Sequence, residues 1–251
     1  MLILISPAKK VNETRTTALA QTEPRFLDAA QELVGVARDW SPQEIGTLMG
    51  VSPAIATLNR DRFATWSRDG TCAAGLMFDG DVYKALELAT FDDAALHDAT
   101  RRLRILSGLY GLLRPTDAVR PYRLEMGRKC PGHAAGTLYR FWGSRIADAV
   151  AQDARALGTR IILNLASEEY AKAVVPDALG GLTVITPRFE EARGDTRRVI
   201  GVAAKRARGA MARWVLHEGA TRPEDLTAFD VGGYAYDGDS SARTKPVFLR
   251  G

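Results

Sequence analysis

Three carboxylates and three lysines stand where chains often place reactive groups, just beyond apolar runs that read as strands. Asp81, Tyr83 and Lys84 follow "TCAAGLMF"; Asn164, Ser167, Glu169, Tyr170 and Lys172 follow "RIILNLA"; Lys9 follows "MLILIS"; Arg123 and Glu125 sit in "PYRLEMG". Neighbouring strands bring their ends together, so polar residues at such junctions can line one crevice. There Asp81, Glu125 and Glu169 could serve as acid and base, and Lys9, Lys84 or Lys172 as an amine nucleophile. A plainer reading stands beside this one. Asp81 and Ser167 could be helix caps, Arg123 and Glu125 a buried ion pair, and Tyr83 and Tyr170 core aromatics.

The elements that must position these groups follow from the apolar pattern. "MLILIS" is a buried strand that stops at Pro7. "SPQE" at 41–44 is a capping box with Pro42 at the first helical position, and Ser52-Pro53 repeats the start. "TCAAGLMF" reads as a second strand and "DGDVYKALELA" as a helix. Leu96, Leu103 and Leu106 recur at helical spacing, which predicts a helix over 92–106 that ends at Gly108, with a turn closed by Gly111. "RIILNLA" is a third strand, a hairpin is expected around Gly194, and residues 203–217 form an amphipathic helix with Ala207, Met211, Trp214 and Val215 on one side. No repeat and no linker divides the chain. The expected fold is α+β: a single domain over 1–251 with a mixed β-sheet and surrounding helices.

Composition narrows the function. The chain has 251 residues, 46% of them hydrophobic, and can bury a full core. No apolar run nears the ~20 residues of a membrane span, and "MLILIS" is too short for a signal sequence, so a cytoplasmic protein without membrane association is expected. Cys72 and Cys130 lie far apart and are expected to be reduced. The net charge of +4 is unevenly spread. Residues 101–129 carry eight basic side chains against two acidic ones, and residues 188–222 carry nine against four, so the remainder is net negative. Such segregation favours a basic face turned to a polyanion. The phosphate-cradle, dinucleotide and nucleophile-elbow signatures are absent. "CPGH" at 130–133 is a lone Cys-x-x-His pair that reads as a Pro-Gly turn. No cofactor or metal is expected.

"SPAKK", "FDGDVYKAL", "LRILSGLYGLLRP", "PYRLEMG", "LYRFWG", "LNLASEEYAKAV" and "AKRARGAMAR" together resemble, in order and from end to end, the YaaA family of bacterial peroxide-stress resistance proteins. The resemblance implies a cytosolic protein associated with lowering free intracellular iron and limiting oxidative DNA damage. It also implies binding to double-stranded DNA through a positively charged cleft and a helix-hairpin-helix-like element, which would lie at about 92–120. Lys10, Ala85, Glu168 and "GRKC" depart from the family's usual residues, and Glu168 would add an anion beside the cleft.

On that reading the glycine turn has a physical use. Without a Cβ at Gly108 and Gly111, the backbone of Ser107, Gly108, Leu109, Tyr110 and Gly111 could approach a phosphate, with Arg104 and Arg114 flanking it. Lys205, Arg208 and Arg213 would extend the basic surface. Such contacts position a protein on DNA without reading bases, so a monomer binding largely without sequence specificity is expected. The alternative is a nucleic-acid repair enzyme that uses the carboxylates and lysines of the same cleft.

Overall fold

The protein is described from a computed structural model, which covers residues 1–14, 20–174, 176–194 and 196–251. Strand β1 (Leu2–Ile5) is followed by helices α1 (Leu27–Ala37), α2 (Pro42–Met49) and α3 (Pro53–Ala64). A short β2 (Cys72–Ala73) runs into α4 (Ala74–Met77) and α5 (Asp81–Leu86); α6 (Asp93–Arg102) leads directly into β3 (Leu103–Ser107), then β4 (Gly111–Leu113) and β5 (Ala118–Val119). Next come α7 (Leu138–Trp142), α8 (Arg145–Ala156), β6 (Ile161–Asn164) and α9 (Glu168–Ala171). The chain continues through β7 (Thr183–Ile185), β8 (Arg188–Arg193), β9 (Thr196–Arg198), α10 (Gly201–His217), β10 (Ala235–Ala242) and β11 (Lys245–Arg250).

The architecture is α+β with mixed sheets, as the sequence predicts. The main sheet has the order β4-β3-β1-β6-β7, parallel except for the edge strand β4. All four residues of β1 are buried, which is why this strand is apolar at every position instead of alternating. A second sheet, β10-β11-β8-β9, carries the predicted hairpin around Gly194, with Arg193 paired to Thr196. The buried apolar side chains form one contiguous core from Met1 to Phe248. The capping box at Ser41 is present: Glu44 N–H donates to Ser41 Oγ, and the Glu44 carboxylate accepts from Ser41 N–H at 2.8 Å.

Two expectations are corrected. "TCAAGLMF" is a strand only at Cys72–Ala73, where it pairs with β5, and turns helical at Ala74. The helix expected over 92–106 ends at Arg102, and Leu103–Ser107 joins β1 in parallel, with Ile3 opposite Leu103 and Ile5 opposite Ile105. Ser107 pairs with Gly111, so the glycine turn closes a β-hairpin between β3 and β4, where a helix-hairpin-helix-like element was expected. Every residue of β3 is buried, and a short run buried on both faces cannot be told from a helix by its periodicity.

The turn also faces protein. A Cβ at Gly108 would overlap the Leu124 carbonyl oxygen, and one at Gly111 would stand 2.7 Å from the Trp142 ring. Ser107 Oγ accepts from Tyr110 N–H at 2.8 Å and shares a 2.6 Å hydrogen bond with the Tyr122 hydroxyl, while Leu109 and Tyr110 are buried. Arg104 is also interior. Its Nε donates to Asp153 Oδ2 at 2.6 Å, and Arg25 donates to the other carboxylate oxygen at 2.6 Å. Burial works to raise the Asp153 pKa, but the Arg104 charge, with the hydrogen bonds from Arg104 and Arg25, outweighs it and holds the carboxyl below its usual value.

Two stability tests follow from this packing. Gly108→Ala should destabilise the fold by about 1–3 kcal/mol, read as a lower urea midpoint, because the added methyl meets backbone that cannot rotate away. Asp153→Asn should cost about 3–5 kcal/mol by leaving Arg104 buried without its anion. A carboxyl whose folded pKa is depressed stabilises above its unfolded pKa of about 3.9, and that contribution fades as pH falls through the folded value. The wild type should therefore lose stability on acidification below about pH 4, and Asp153→Asn should flatten that loss.

Candidate functional site

The carboxyl ends of the parallel neighbours β1 and β6 open into a cleft of about 430 Å³. This is where adjacent strand ends of a parallel sheet leave room for a ligand. Ser6, the first residue beyond β1, ties the edge together. Its Oγ accepts from Ser167 N–H at 2.8 Å and donates to Ser167 Oγ at 3.2 Å, and its carbonyl accepts from the Tyr83 hydroxyl at 2.9 Å. Helix α10 packs tightly on α5 because Gly209 lies against the Val82 carbonyl, and this contact places Lys205 and Arg208 on the cleft wall.

The structure brings together Lys9, Asp81, Tyr83, Arg123, Glu125, Ser167, Glu169, Lys205 and Arg208. Glu125 is buried among cations: Arg123 Nε is 3.0 Å and Lys9 Nζ 3.8 Å from Oε1, and Arg128 Nε is 3.5 Å from Oε2. Arg123 and Glu125 thus form the buried ion pair and also stand on the cleft wall. Glu169 Oε1 accepts from Gly127 N–H at 2.9 Å, and Asp81 lies 3.5 Å from Arg206. Ser167 stands at the start of α9 but makes no side-chain cap there; its partner is Ser6.

Other expected site residues lie elsewhere. Asn164 is buried beneath the cleft, where its side chain accepts from Ala166 N–H and donates to Thr186 Oγ1. Lys84 is exposed and does not line the cleft, and Lys172 pairs with the exposed Glu168 at 2.9 Å, so the Glu168 anion is met outside it. Arg213 sits over the Phe91 ring, with Glu87 at 3.6 Å. Arg104 and the turn Ser107–Gly111 are buried, and Arg114 lines a separate smaller cavity with Arg25 and Arg104. Lys10, noted in the sequence only as a departure from the family pattern, also lines the cleft, and Phe78 and Tyr122 line it without having been singled out. Both adjoin chosen residues, in "FDGD" and "PYRL", and their apolar character hid them.

Most arginines of the two basic blocks are spent internally. Arg102 reaches Asp98 and the Ala220 carbonyl, Arg120 the Asp69 carbonyl, Arg188 Glu190, Arg197 Asp237 and Arg222 Asp225. Arg208 differs. It is half-buried, its pKa is lowered by burial alone, and among the described residues neither an acid nor a hydrogen-bond acceptor meets its guanidinium. Lys205, three residues earlier, is exposed and also without a partner among the described residues.

Both thiols are enclosed. Cys72 Sγ donates to the Glu13 carbonyl at 3.4 Å, and burial, with Glu32 adding to it, pushes the Cys130 thiol up to about 11. Cys130–His133 forms a turn in which His133 N–H donates to the Cys130 carbonyl and the ring meets Glu32 at 2.8 Å. Among the described residues no three His, Cys, Asp or Glu side chains are grouped as a metal ion would require, and no helix is long and apolar enough to cross a membrane.

The fold and cleft define an α+β protein with a charged crevice at the end of a parallel sheet. A family model described as peroxide stress protein YaaA matches residues 1–240, and the chain belongs to this family. It is 68% identical over 251 residues to a UPF0246 protein of Ruegeria sp. (strain TM1040), covering all of both chains. It is 44% identical to a UPF0246 protein of Alcanivorax borkumensis, covering 100% of this chain and 98% of that one. Identity to a UPF0246 protein of Cereibacter sphaeroides (strain ATCC 17029 / ATH 2.4.9) is 46%, over 100% of this chain and 99% of the relative. Membership supports a role in peroxide stress resistance.

The enclosed thiols make a chemical prediction. A protonated, covered thiol is a poor nucleophile toward peroxide or disulfide reagents. Ellman's reagent should titrate almost no thiol in the native protein and two in denaturant. Rapid labelling of either cysteine in the native state would show that its cover opens.

Proposed function

We propose that this chain supports peroxide resistance by binding double-stranded DNA, largely without sequence specificity, through the cleft between β1, α5 and α10. The unpartnered guanidinium of Arg208 carries this reading. A half-buried cation with five N–H donors and no acceptor is costly unless an anion arrives to meet it. Lys205 beside it and Lys9 at the mouth extend the same attraction, and a phosphodiester chain offers regularly spaced anions to all three. Lys10 is already met by Asp79 at 2.8 Å and contributes less. The hairpin at 107–111 has no part in the contact, because protein already occupies the space beside it.

With about three phosphates engaged, log K should fall with log salt at a slope near −3. Titrating one labelled duplex at several salt concentrations measures it, and Arg208→Ala or Lys205→Ala should each make the slope shallower by about 0.9. A salt-independent affinity, or none, would remove the reading.

A second reading, chemistry on the bound strand, is favoured by one observation: Lys9 places an amine 3.8 Å from the buried Glu125 carboxylate within the cleft. An amine attacking an abasic sugar forms a Schiff base that borohydride reduces to a stable link. Lys9 is exposed and paired, as a phosphate-binding lysine would be, and no trapped complex with an abasic duplex is expected. A trapped complex that disappears in Lys9→Arg would make the protein an enzyme, because a guanidinium cannot replace the amine.

A further inference from the structure

Backbone binding needs charge at a rim and has no use for a hollow. The cleft nevertheless has one, of about 430 Å³, within the range of about 300–1,000 Å³ typical of small-molecule pockets. Part of its wall is carbon: narrow edges of Tyr83, Tyr122 and Tyr170, each only 4–6% exposed, reach it beside Pro7, Ala8 and Val82, while Phe78 and Leu165 back them at 1%. Phe78 lies 5.4 Å from Tyr83 and 6.2 Å from Tyr122 between ring centres, so three of the four rings form one packed group. The phosphates of an intact duplex lie on its outside, and its bases are stacked away in pairs. Neither would fill such a space.

A planar, apolar-faced group carrying a phosphate would fill it. Resting on the DNA-binding reading, we infer that the cleft accepts a single unstacked nucleotide, its base against this apolar wall and its phosphate on Arg208 and Lys205. The lining is suited to a neutral base. Two of the hydroxyls are already engaged, Tyr83 with the Ser6 carbonyl and Tyr122 with Ser107, so the wall places no charge against it there. Contact with a carbon wall tolerates every base, which keeps the site compatible with binding that ignores sequence. Extrusion costs least where a nucleotide is mispaired, damaged or unpaired, so the site selects weakened positions in a duplex. Such positions are what peroxide damage creates, and this connects the pocket to the family's role.

The test uses the whole chain and two duplexes identical except for one single-nucleotide bulge. Deoxyadenosine monophosphate and 2-deoxyribose 5-phosphate, which lacks the base, serve as free probes in calorimetry. The bulged duplex should bind about tenfold tighter than the paired one, and the nucleotide about tenfold tighter than the sugar phosphate. Ala8→Trp, which introduces a large ring at the lining beside Gly80, should abolish both preferences. Equal binding of both duplexes, with no preference for the nucleotide over the sugar phosphate, would overturn the inference while leaving DNA binding intact. A bulge preference that persists in folded Ala8→Trp would also overturn it, since bent shape would then be what is read. Nucleotide binding without binding of either duplex would instead overturn the DNA reading and assign the pocket to a free nucleotide. Should Ala8→Trp not fold, the comparison of nucleotide with sugar phosphate on the wild type decides alone.

Discussion

Strand β1 has no solvent-facing side, and much of the molecule follows from that constraint. It pairs in parallel with β3 on one flank and β6 on the other, at a separation of about a hundred residues or more each way. Parallel neighbours cannot be joined by a tight turn, so the intervening chain must cross over and pack. All these crossovers return to a sheet whose parallel strands end at one edge. Ser6 stands at that edge, and its hydrogen bonds to Ser167 and Tyr83 bind the exits of β1 and β6 to α5. The cleft is a consequence of how this sheet ends.

Charge in this protein divides into two populations. Arginines such as Arg104 and Arg102 lie inside the fold, where their donors satisfy Asp153 or backbone carbonyls and their role is to hold segments in register. A buried pair of this kind does little for net stability but penalises the loss of either member heavily. Arg208 and Lys205 belong to the other population, which includes exposed side chains such as Arg101 and Arg198, and are the two held at the cleft without a local anion among the described residues. Segment charge counts cannot separate the two, because net charge is the same whether a cation is paired or free. The mixed electrostatics of the cleft, with Glu125 shared among three cations, keeps its interior near balance while leaving this basic pair available.

Neither thiol of this chain is placed for direct reaction with peroxide. Cys72 and Cys130 are covered, and burial keeps the Cys130 thiol protonated at neutral pH. The cleft presents an apolar wall, fixed polar edges and two cations without a partner among the described residues. Helix α10 completes one wall of the cleft by lying close to α5 across Gly209.

The sequence by itself determined the parts governed by local or uniform rules. Continuous burial made β1 and β6 legible, the Ser41–Glu44 box and the periodicity of α10 marked their helices, and polar residues at strand exits marked the cleft before any coordinates. Only the tertiary structure decided the fate of 103–113. Leu103–Ser107 is apolar enough for a helix face or a doubly covered strand, and pairing with β1 selects the strand. The same burial turned the glycine turn toward Leu124 and Trp142, although glycines that admit a phosphate and glycines that admit a carbonyl or a ring are identical in sequence. Which cations remain free was decided there too, because an ion pair between residues 104 and 153, or its absence at 208, depends on distances that no local pattern encodes.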